Sequence, residues 1–333
     1  MEELLEKILL SALKKNVTDI HLNRMKNKTL VQFRQQGKLR PFSEYEEPEG
    51  KKLINYIKFL GNIDLNYRLT PHTGQFEYEL NQKNYSFRVS SIPTMYSENI
   101  VIRILHHGRL LDIKELTLHT KALCTLEHIT TLKSGLVIVC GPTGEGKSTT
   151  LHALLHRIFE KGMVHIITME DPIEIVEPAF VQIQMNLDTG INFENSLKQI
   201  LRHDPDVVMI GEIRDESSAA LAIRCALTGC LVLSTLHSKN CLGAIHRLKN
   251  LGVSDLDLRD TLHYVLSQRL IYSQQTSFSI YEWMDSSVVQ QVLSKKTILY
   301  KDFTERIKES IQIGETSIED YENSEFRSAL FDD

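Results

Sequence analysis

The chain has 333 residues and a formal net charge of -5, a length that suggests roughly two domains. The excess of acid argues against a protein whose main task is to grip nucleic acid, because such proteins carry a basic surface. No apolar run approaches the roughly 18 residues that a membrane-spanning helix needs, and the acidic first six residues are unlike a signal peptide, so we expect a cytoplasmic protein.

The first hundred residues are predicted to form a small α+β domain. Leucines at helical spacing predict a helix within residues 1–15, and the same spacing predicts a second helix at 49–60. Residues 36–37 and 81–84 are predicted turns, and residues 38–42 are predicted to lead away from the preceding strand. Alternation of apolar and polar residues predicts strands at 18–22, 30–34, 74–80, 85–91 and 100–105. We expect this domain to span residues 1–107, with a linker at 108–114.

From residue 115 to residue 333 the pattern changes to helices that alternate with short apolar strands. Such alternation predicts an α/β fold with a mostly parallel sheet that is covered by helices on both faces. Ligands of such folds bind beyond the carboxyl ends of the strands. The predicted strands are 136–140, 164–169, 181–184, 207–210 and 230–234.

The first of these strands runs into the phosphate-binding loop pattern Gly141-x-x-x-x-Gly146-Lys147-Ser148, and apolar residues at helical spacing follow. Glycines let the backbone N–H groups wrap a phosphate chain at a helix N-terminus. Lys147 is expected to contact the β- and γ-phosphates and Ser148 to ligate Mg²⁺, so the sequence predicts ATP and Mg²⁺ as ligands. The expected nucleotide-binding residues are Gly141, Pro142, Thr143, Gly144, Glu145, Gly146, Lys147, Ser148 and Thr149.

Two later strands end in acids. Glu170 closes an apolar strand, where a carboxylate can orient a water or a metal shell, or can be a plain acidic turn. Glu212 follows the buried strand 207–210, where a Walker B acid is expected on the strand beside the P-loop strand, reaching the metal and the attacking water. Arg202 and Arg214 flank Glu212, and they either stabilise transition-state charge or pair with carboxylates.

Histidines and cysteines complete the candidate chemistry. His237 follows the strand 230–234 and is placed to sense a γ-phosphate, although a lone histidine there is more often structural. His152 and His156 lie four apart after the P-loop, but without the glutamate of an H-E-x-x-H pattern we predict surface or packing roles. None of the five cysteines forms a C-x-x-C pair, so no zinc site is expected.

These motifs resemble the secretion ATPases of type II secretion, type IV pilus and competence pseudopilus systems, over most of the chain. Residues 201–215, Leu-Arg then Pro-Asp then Gly-Glu-Ile-Arg-Asp, follow that family's signature. Residues 166–174 resemble its Asp box, and residues 228–238 resemble its His box. Segments similar to the family's N-terminal domain and C-terminal helices are 18–22, 68–74, 87–94, 101–105 and 268–270.

The resemblance implies a RecA-like P-loop core with a small PAS-like N-terminal domain, working as a homo-hexameric ring. It implies ATP hydrolysis in which Glu212 and Glu170 position the metal and the water, with Glu212 a metal ligand beside Ser148. It further implies that Arg88 and Arg103 swing towards the nucleotide. The expected partner is a membrane platform protein, which would hold this cytoplasmic ATPase at the membrane periphery.

The short, zinc-free form is most similar to the competence ATPases of Gram-positive bacteria, so assembly of a pseudopilus for DNA uptake is the expected function. The alternatives are the ATPase of a type II secretion or type IV pilus system, a DNA-translocating motor with the same core, and a nucleotide-gated scaffold. The acidic balance leads us to expect no direct nucleic-acid binding. The chain departs from the family at Cys230, which replaces the first histidine of the His box, and at Glu145, whose carboxylate we expect to point outward.

Overall fold

The computed structural model describes residues 1–15, 17–35, 38–65, 70–95, 97–105, 111–185, 199–272, 277–296 and 300–321. The chain divides into two compact units, Met1–Arg109 and Leu110–Asp333. The predicted turn at 36–37, the arginine of the 68–74 motif and the start of the predicted linker lie outside the described residues. Across the described ranges, no helix is both long enough and apolar enough to cross a membrane.

The N-terminal unit is a six-stranded antiparallel sheet with two helices. Its helices are α1 (Glu2–Lys14) and α2 (Glu47–Leu60), and its strands are β1 (Asp19–Arg24), β2 (Lys28–Gln35), β3 (Lys38–Glu46), β4 (His72–Leu80), β5 (Lys83–Thr94) and β6 (Ser97–Leu105). The strand order is β3-β2-β1-β6-β5-β4. The turn predicted at residues 81–84 joins β4 to β5. Asn81 and Gln82 both have positive φ, 51° and 63°, as a tight hairpin turn requires.

One strand of this unit differs from the prediction. Residues 38–42 do not lead away, because they begin β3, which pairs with β2 at the edge of the sheet. Pro41 has no N–H to donate, and the pairing register shifts beside it, between Val31 and Gln32. An edge strand with an irregularity is where a sheet tolerates proline, and a local pattern cannot reveal that pairing.

The C-terminal unit is a mixed α/β layer structure on a seven-stranded sheet. Its strands are β7 (Gly135–Cys140), β8 (Ile166–Glu170), β9 (Val181–Gln184), β10 (Val207–Ile210), β11 (Leu231–Leu236), β12 (Leu262–Tyr272) and β13 (Ser277–Asp285). Its helices are α3 (Ile113–Leu116), α4 (Thr120–Ile129), α5 (Lys147–Lys161), α6 (Glu216–Leu227), α7 (Cys241–Asn250), α8 (Asp255–Thr261), α9 (Ser286–Leu293) and α10 (Phe303–Gln312). The strand order is β13-β12-β7-β11-β10-β8-β9, and every neighbouring pair is parallel except β12 with β13.

Burial on both faces explains why the central strands are mostly apolar. Every residue of β7, β8, β10 and β11 is buried. Alternate residues enter different cores: Leu136 and Ile138 join one cluster, whereas Val137 and Val139 join the other. The expected sheet with helices on both faces is therefore present.

Two expectations about this unit are wrong. The strand before Glu212 is not beside the P-loop strand, because β11 lies between β7 and β10. Residues 268–270 belong to strand β12 and not to a helix. The first error concerns strand order, which a local pattern does not contain. The second arises because Gln268 is polar although it is only 1% exposed, so it interrupts the apolar pattern from which a buried strand is predicted.

Candidate active site

The P-loop lies between β7 and α5, with its backbone in conformations that favour glycine. Gly141 and Gly146 have φ of 148° and 77°, and Gly146 is the N-cap of α5. A Cβ on Gly141 would stand 2.6 Å from the Gln268 carbonyl oxygen, so this position also lacks space. The loop therefore keeps its glycines for conformation and for close approach to β12.

Lys147 lies against the P-loop backbone. Its Nζ donates to the carbonyl oxygens of Gly141, at 2.9 Å, and Pro142, at 2.6 Å. Burial lowers the pKa of Lys147, and the nearby Glu212 carboxylate opposes that shift. The lysine thus stands close enough to Glu212 for the two charges to interact.

Glu212 follows β10 and is held by two side chains. Its Oε2 accepts a hydrogen bond from Arg214 Nε at 2.6 Å, and its Oε1 lies 3.2 Å from His237 Nε2. Arg214 also contacts Asp171 at 3.5 Å, so of its two possible roles the structure shows carboxylate pairing. Arg202 is exposed and forms no hydrogen bond or ion pair with a described residue.

His237 comes directly after β11, between the P-loop and Glu212. Burial lowers its pKa, as does the charge of Lys147, whereas the Glu212 carboxylate raises it. Two hydroxyl groups fix this end of β11 to the loop before Glu212: Ser234 Oγ donates to the Ile210 carbonyl at 2.7 Å, and Thr235 Oγ1 to the Gly211 carbonyl at 2.6 Å. The placement of β11 between β7 and β10 is therefore what brings His237 and Glu212 together.

Glu170 is the last residue of β8 and is only 4% exposed. Its Oε1 accepts from Thr168 Oγ1 at 2.7 Å and from Gln182 Nε2 at 3.3 Å. Its Oε2 lies 3.2 Å from Nε2 of His152, a fully buried residue of α5. His152 thus packs inside the unit as a partner of Glu170, a contact that no sequence pattern predicted.

In the part of the chain that the structure describes, no group of three or more His, Cys, Asp or Glu side chains could hold a metal ion. His156 is near Glu160, at 3.4 Å, and Glu177, at 3.8 Å. Cys230 precedes β11, where its Sγ donates to the Pro205 carbonyl at 3.2 Å. His237 lies seven positions later, about 20 Å along an extended strand, so Cys230 is at the opposite end of the sheet.

Strand β12 contributes residues that lie outside the sequence motifs assigned to the site. Gln268 Nε2 donates to the Glu145 carbonyl at 2.6 Å, and Arg269 Nη2 donates to the Lys239 carbonyl at 3.0 Å. The Glu145 carboxylate does not point outward, because Oε2 accepts from the Leu270 backbone N–H at 2.5 Å. The sequence offered one indication, the similarity of residues 268–270 to an element of the family.

The two arginines of the N-terminal unit are direct neighbours. Arg88 on β5 stands opposite Arg103 on β6 in the antiparallel register. Arg103 Nε donates to Asp19 Oδ1 at 2.8 Å, and its side chain is 61% exposed. Arg88 has no hydrogen bond or ion pair with any residue in the described ranges.

Sequence comparison relates the chain to one family of known proteins. The family described as "Type II/IV secretion system protein" matches residues 1–323. Competence protein ComGA of Halalkalibacterium halodurans is 40% identical over 266 residues, 80% of this chain and 76% of that protein. Competence protein ComGA of Bacillus subtilis is 34% identical over 271 residues, 81% of this chain and 76% of that protein. The putative type II secretion system protein E of Escherichia coli is 37% identical, but the match spans only 54% of its length.

Among solved structures, the pilus retraction motor PilT with bound ADP aligns with a TM-score of 0.71 and 26% identity, covering 95% of each chain. The fold is thus shared with a motor protein whose solved structure holds ADP. The family resemblance seen in the sequence is confirmed. The chain belongs to the type II/IV secretion system protein family, and it is an ATP-hydrolysing enzyme.

Proposed function

We propose that this ATPase drives assembly of a competence pseudopilus and thereby supports DNA uptake. The observation that carries the proposal is the convergence of Lys147, Glu212 and His237 at one end of the sheet, in a chain whose match to competence proteins covers 80% of its length. We further propose a RecA-like core for the C-terminal unit. The N-terminal unit, an antiparallel sheet with helices α1 and α2, is proposed to be PAS-like.

The proposed nucleotide site is the P-loop, residues 141–149. Lys147 would exchange its backbone carbonyl contacts for the β- and γ-phosphates, which satisfy an ammonium group more strongly because they are charged. Ser148 and Glu212 supply the oxygen ligands that Mg²⁺ prefers, so the residues fit that ion. Mg²⁺ would neutralise charge on the phosphates during transfer. The proposal includes no zinc.

Glu212 is the proposed base that orients the attacking water, because its carboxylate is 20% exposed and can reach a ligand. His237 contacts the other carboxylate oxygen and is placed to respond to the γ-phosphate. Glu170 is more deeply buried than Glu212 and lies close to Gly211. A Cβ added to Gly211 would stand 3.5 Å from the Glu170 Cα. We propose that Glu170 supports the position of the metal and the water from behind Glu212.

Arg88 and Arg103 are proposed to reach the nucleotide when the N-terminal unit closes over a site. Like charges directly opposite on neighbouring strands are destabilising, and Asp19 compensates only Arg103. The negative charge of a polyphosphate would relieve that repulsion. The pair is therefore suited to binding the phosphates of a nucleotide. Closure would then couple hydrolysis to movement.

The proposed assembly is a homo-hexameric ring, in which a site near a subunit boundary can be completed by the neighbour. The proposed partner is a membrane platform protein of the pseudopilus machine. Because ATP is a cytoplasmic metabolite, we propose a cytoplasmic location at the membrane periphery, held there by that partner. No direct contact with nucleic acid is proposed, consistent with the net charge of -5.

The test is replacement of the native gene by a Lys147→Ala variant in the host, with Lys133→Ala, an exposed lysine, as the matched control. We expect Lys147→Ala to lose both pseudopilus assembly and DNA uptake, and Lys133→Ala to retain both. Normal DNA uptake in the Lys147→Ala strain would rule out the competence role. Loss of enzyme secretion or of surface pili instead would favour the type II or type IV alternative, which the match to protein E also supports.

A further inference from the structure

Strand β12 extends beyond the P-loop strand that it pairs with. The parallel register of β12 with β7 ends where Ser267 pairs with Cys140, whereas β12 continues to Tyr272. After Cys140 the chain turns into the P-loop, so β12 loses its strand partner on that side. Backbone N–H groups of β12 beyond this point need another acceptor, and the P-loop lies where it can supply one.

Glu145 supplies two acceptors to β12, one from its side chain and one from its backbone. Its Oε2 accepts from the Leu270 backbone N–H at 2.5 Å, and its backbone carbonyl accepts from Gln268 Nε2 at 2.6 Å. A Cβ on Gly146 would stand 3.1 Å from the same Nε2, so the tip of the loop lies close against Gln268. Glu145 thus joins the loop to β12 at two points, one through its side chain and one through its backbone.

Gln268 is itself fixed by its neighbours. It is 1% exposed, its Oε1 accepts from Thr150 Oγ1 at 2.9 Å, and its Nε2 also donates to Ser279 Oγ at 2.9 Å. Thr150 Oγ1 bonds in addition to the hydroxyl of fully buried Tyr281 at 2.9 Å. Through Gln268, Glu145 is therefore connected to a buried hydrogen-bond network that spans α5, β12 and β13.

We propose that Glu145 is a positioning residue of the nucleotide site, which holds the tip of the P-loop on β12 before a nucleotide binds. The inference rests on the proposed nucleotide site at residues 141–149. P-loop backbone N–H groups bind phosphate only in a fixed orientation, so ordering them in advance removes an entropic cost from binding. The charge of the carboxylate acts in the opposite direction, because it repels phosphate.

Two substitutions separate these effects. Glu145→Gln retains an oxygen acceptor for the Leu270 N–H and removes the charge, whereas Glu145→Ser removes the charge and is too short to reach that N–H. The affinity for ATP is measured with a fluorescent analogue, and hydrogen exchange of the Leu270 amide is measured on the nucleotide-free protein. Glu319→Gln, which removes an exposed carboxylate with no bond to any described residue, is the control.

We expect Glu145→Gln to bind ATP as tightly as the unaltered protein, or up to about tenfold more tightly, as loss of one screened repulsive charge allows. Glu145→Ser should bind about fivefold more weakly than Glu145→Gln. The Leu270 amide should exchange about tenfold faster in Glu145→Ser alone, the effect of losing one hydrogen bond. Glu319→Gln should match the unaltered protein in both measurements.

Equal ATP affinity of Glu145→Gln and Glu145→Ser, or equal protection of the Leu270 amide in both, would overturn the inference. Lys147→Ala, measured in parallel, tests the nucleotide site itself. If Lys147→Ala binds ATP normally, the proposed site is wrong, and with it the role of Glu145 in binding. If Lys147→Ala loses ATP while the two Glu145 variants remain alike, the site stands and only the positioning role fails.

Discussion

Lys147 is the residue on which the proposed nucleotide site depends most directly. It is 8% exposed and is held by the Gly141 and Pro142 carbonyl groups, so its ammonium group is already aligned along the P-loop. Lys147→Ala should reduce ATP turnover to background and leave the unit folded, because alanine removes the charge without inserting bulk. Turnover by the purified variant, with circular dichroism as the folding check and Lys133→Ala as control, tests this. Turnover within twofold of the unaltered protein would contradict the site assignment.

Glu212 joins His237, Arg214 and the P-loop lysine in one charged cluster. Glu212→Gln should lower turnover by about two to four orders of magnitude with ATP still bound, the effect of losing a positioned base. The same change should lower the pKa of His237 further, because the carboxylate opposes the lowering that burial causes. Single-turnover kinetics and NMR titration of the imidazole measure the two effects. Unchanged single-turnover rates, or a rise in the His237 pKa, would contradict this reading of Glu212.

At the scale of elements, the carboxylate of Glu309 links helix α10 to the rest of the C-terminal unit. Glu309 accepts contacts from Lys121 at 2.6 Å, Lys301 at 3.0 Å and Arg306 at 3.4 Å. The hydrogen bond from Lys121 is the main cause that lowers the pKa of Glu309 from 4.5 to about 2. Arg306 in turn stacks on Trp283 of β13, 3.4 Å from the ring centroid. The helix is therefore held by ion pairs, by this cation–π contact and by Ile307, which belongs to an apolar cluster with Ile271, Phe278 and Ile280.

Because the Glu309 pKa is depressed in the folded state, its stabilisation is fully present above about pH 4.5 and is lost as the pH falls towards 2. Glu309→Gln should lower the free energy of unfolding by on the order of 1–2 kcal/mol at pH 7, and by much less near pH 2.5. Urea denaturation at both pH values measures this, with Glu319→Gln as control. An equal loss at both pH values would mean that packing, and not charge, is what the substitution removed.

At the scale of the whole molecule, the proposed coupling depends on two arginines of the N-terminal unit. If Arg88 and Arg103 reach the nucleotide only in a closed state, Arg→Ala at either site should lower kcat about tenfold or more and change ATP affinity little. Arg40→Ala, an exposed arginine on the edge strand β3 of the same unit, is the matched control. Steady-state kinetics with a separate binding assay measure the effect. If kcat is unchanged in both Arg88→Ala and Arg103→Ala, the two arginines have only a structural role in the sheet.

Much of this molecule was predictable from local patterns. The P-loop followed from its glycine spacing, and the strands β9 and β10 were predicted at their observed bounds, Val181–Gln184 and Val207–Ile210. Glu212 and His237 were predicted as site residues because each lies just after a buried strand. Such features depend on the chain's own periodicity and conformational preferences, which are local and therefore visible in a sequence.

Only the tertiary structure decided which of these pieces meet. It inserted β11 between β7 and β10, brought Arg88 opposite Arg103, and placed His152 beside Glu170. It also turned Gln268 and Glu145 towards each other, 123 positions apart in the chain. The physical reason is that strand order and side-chain pairing are set by contacts distant in sequence, which the periodicity of each separate segment does not encode.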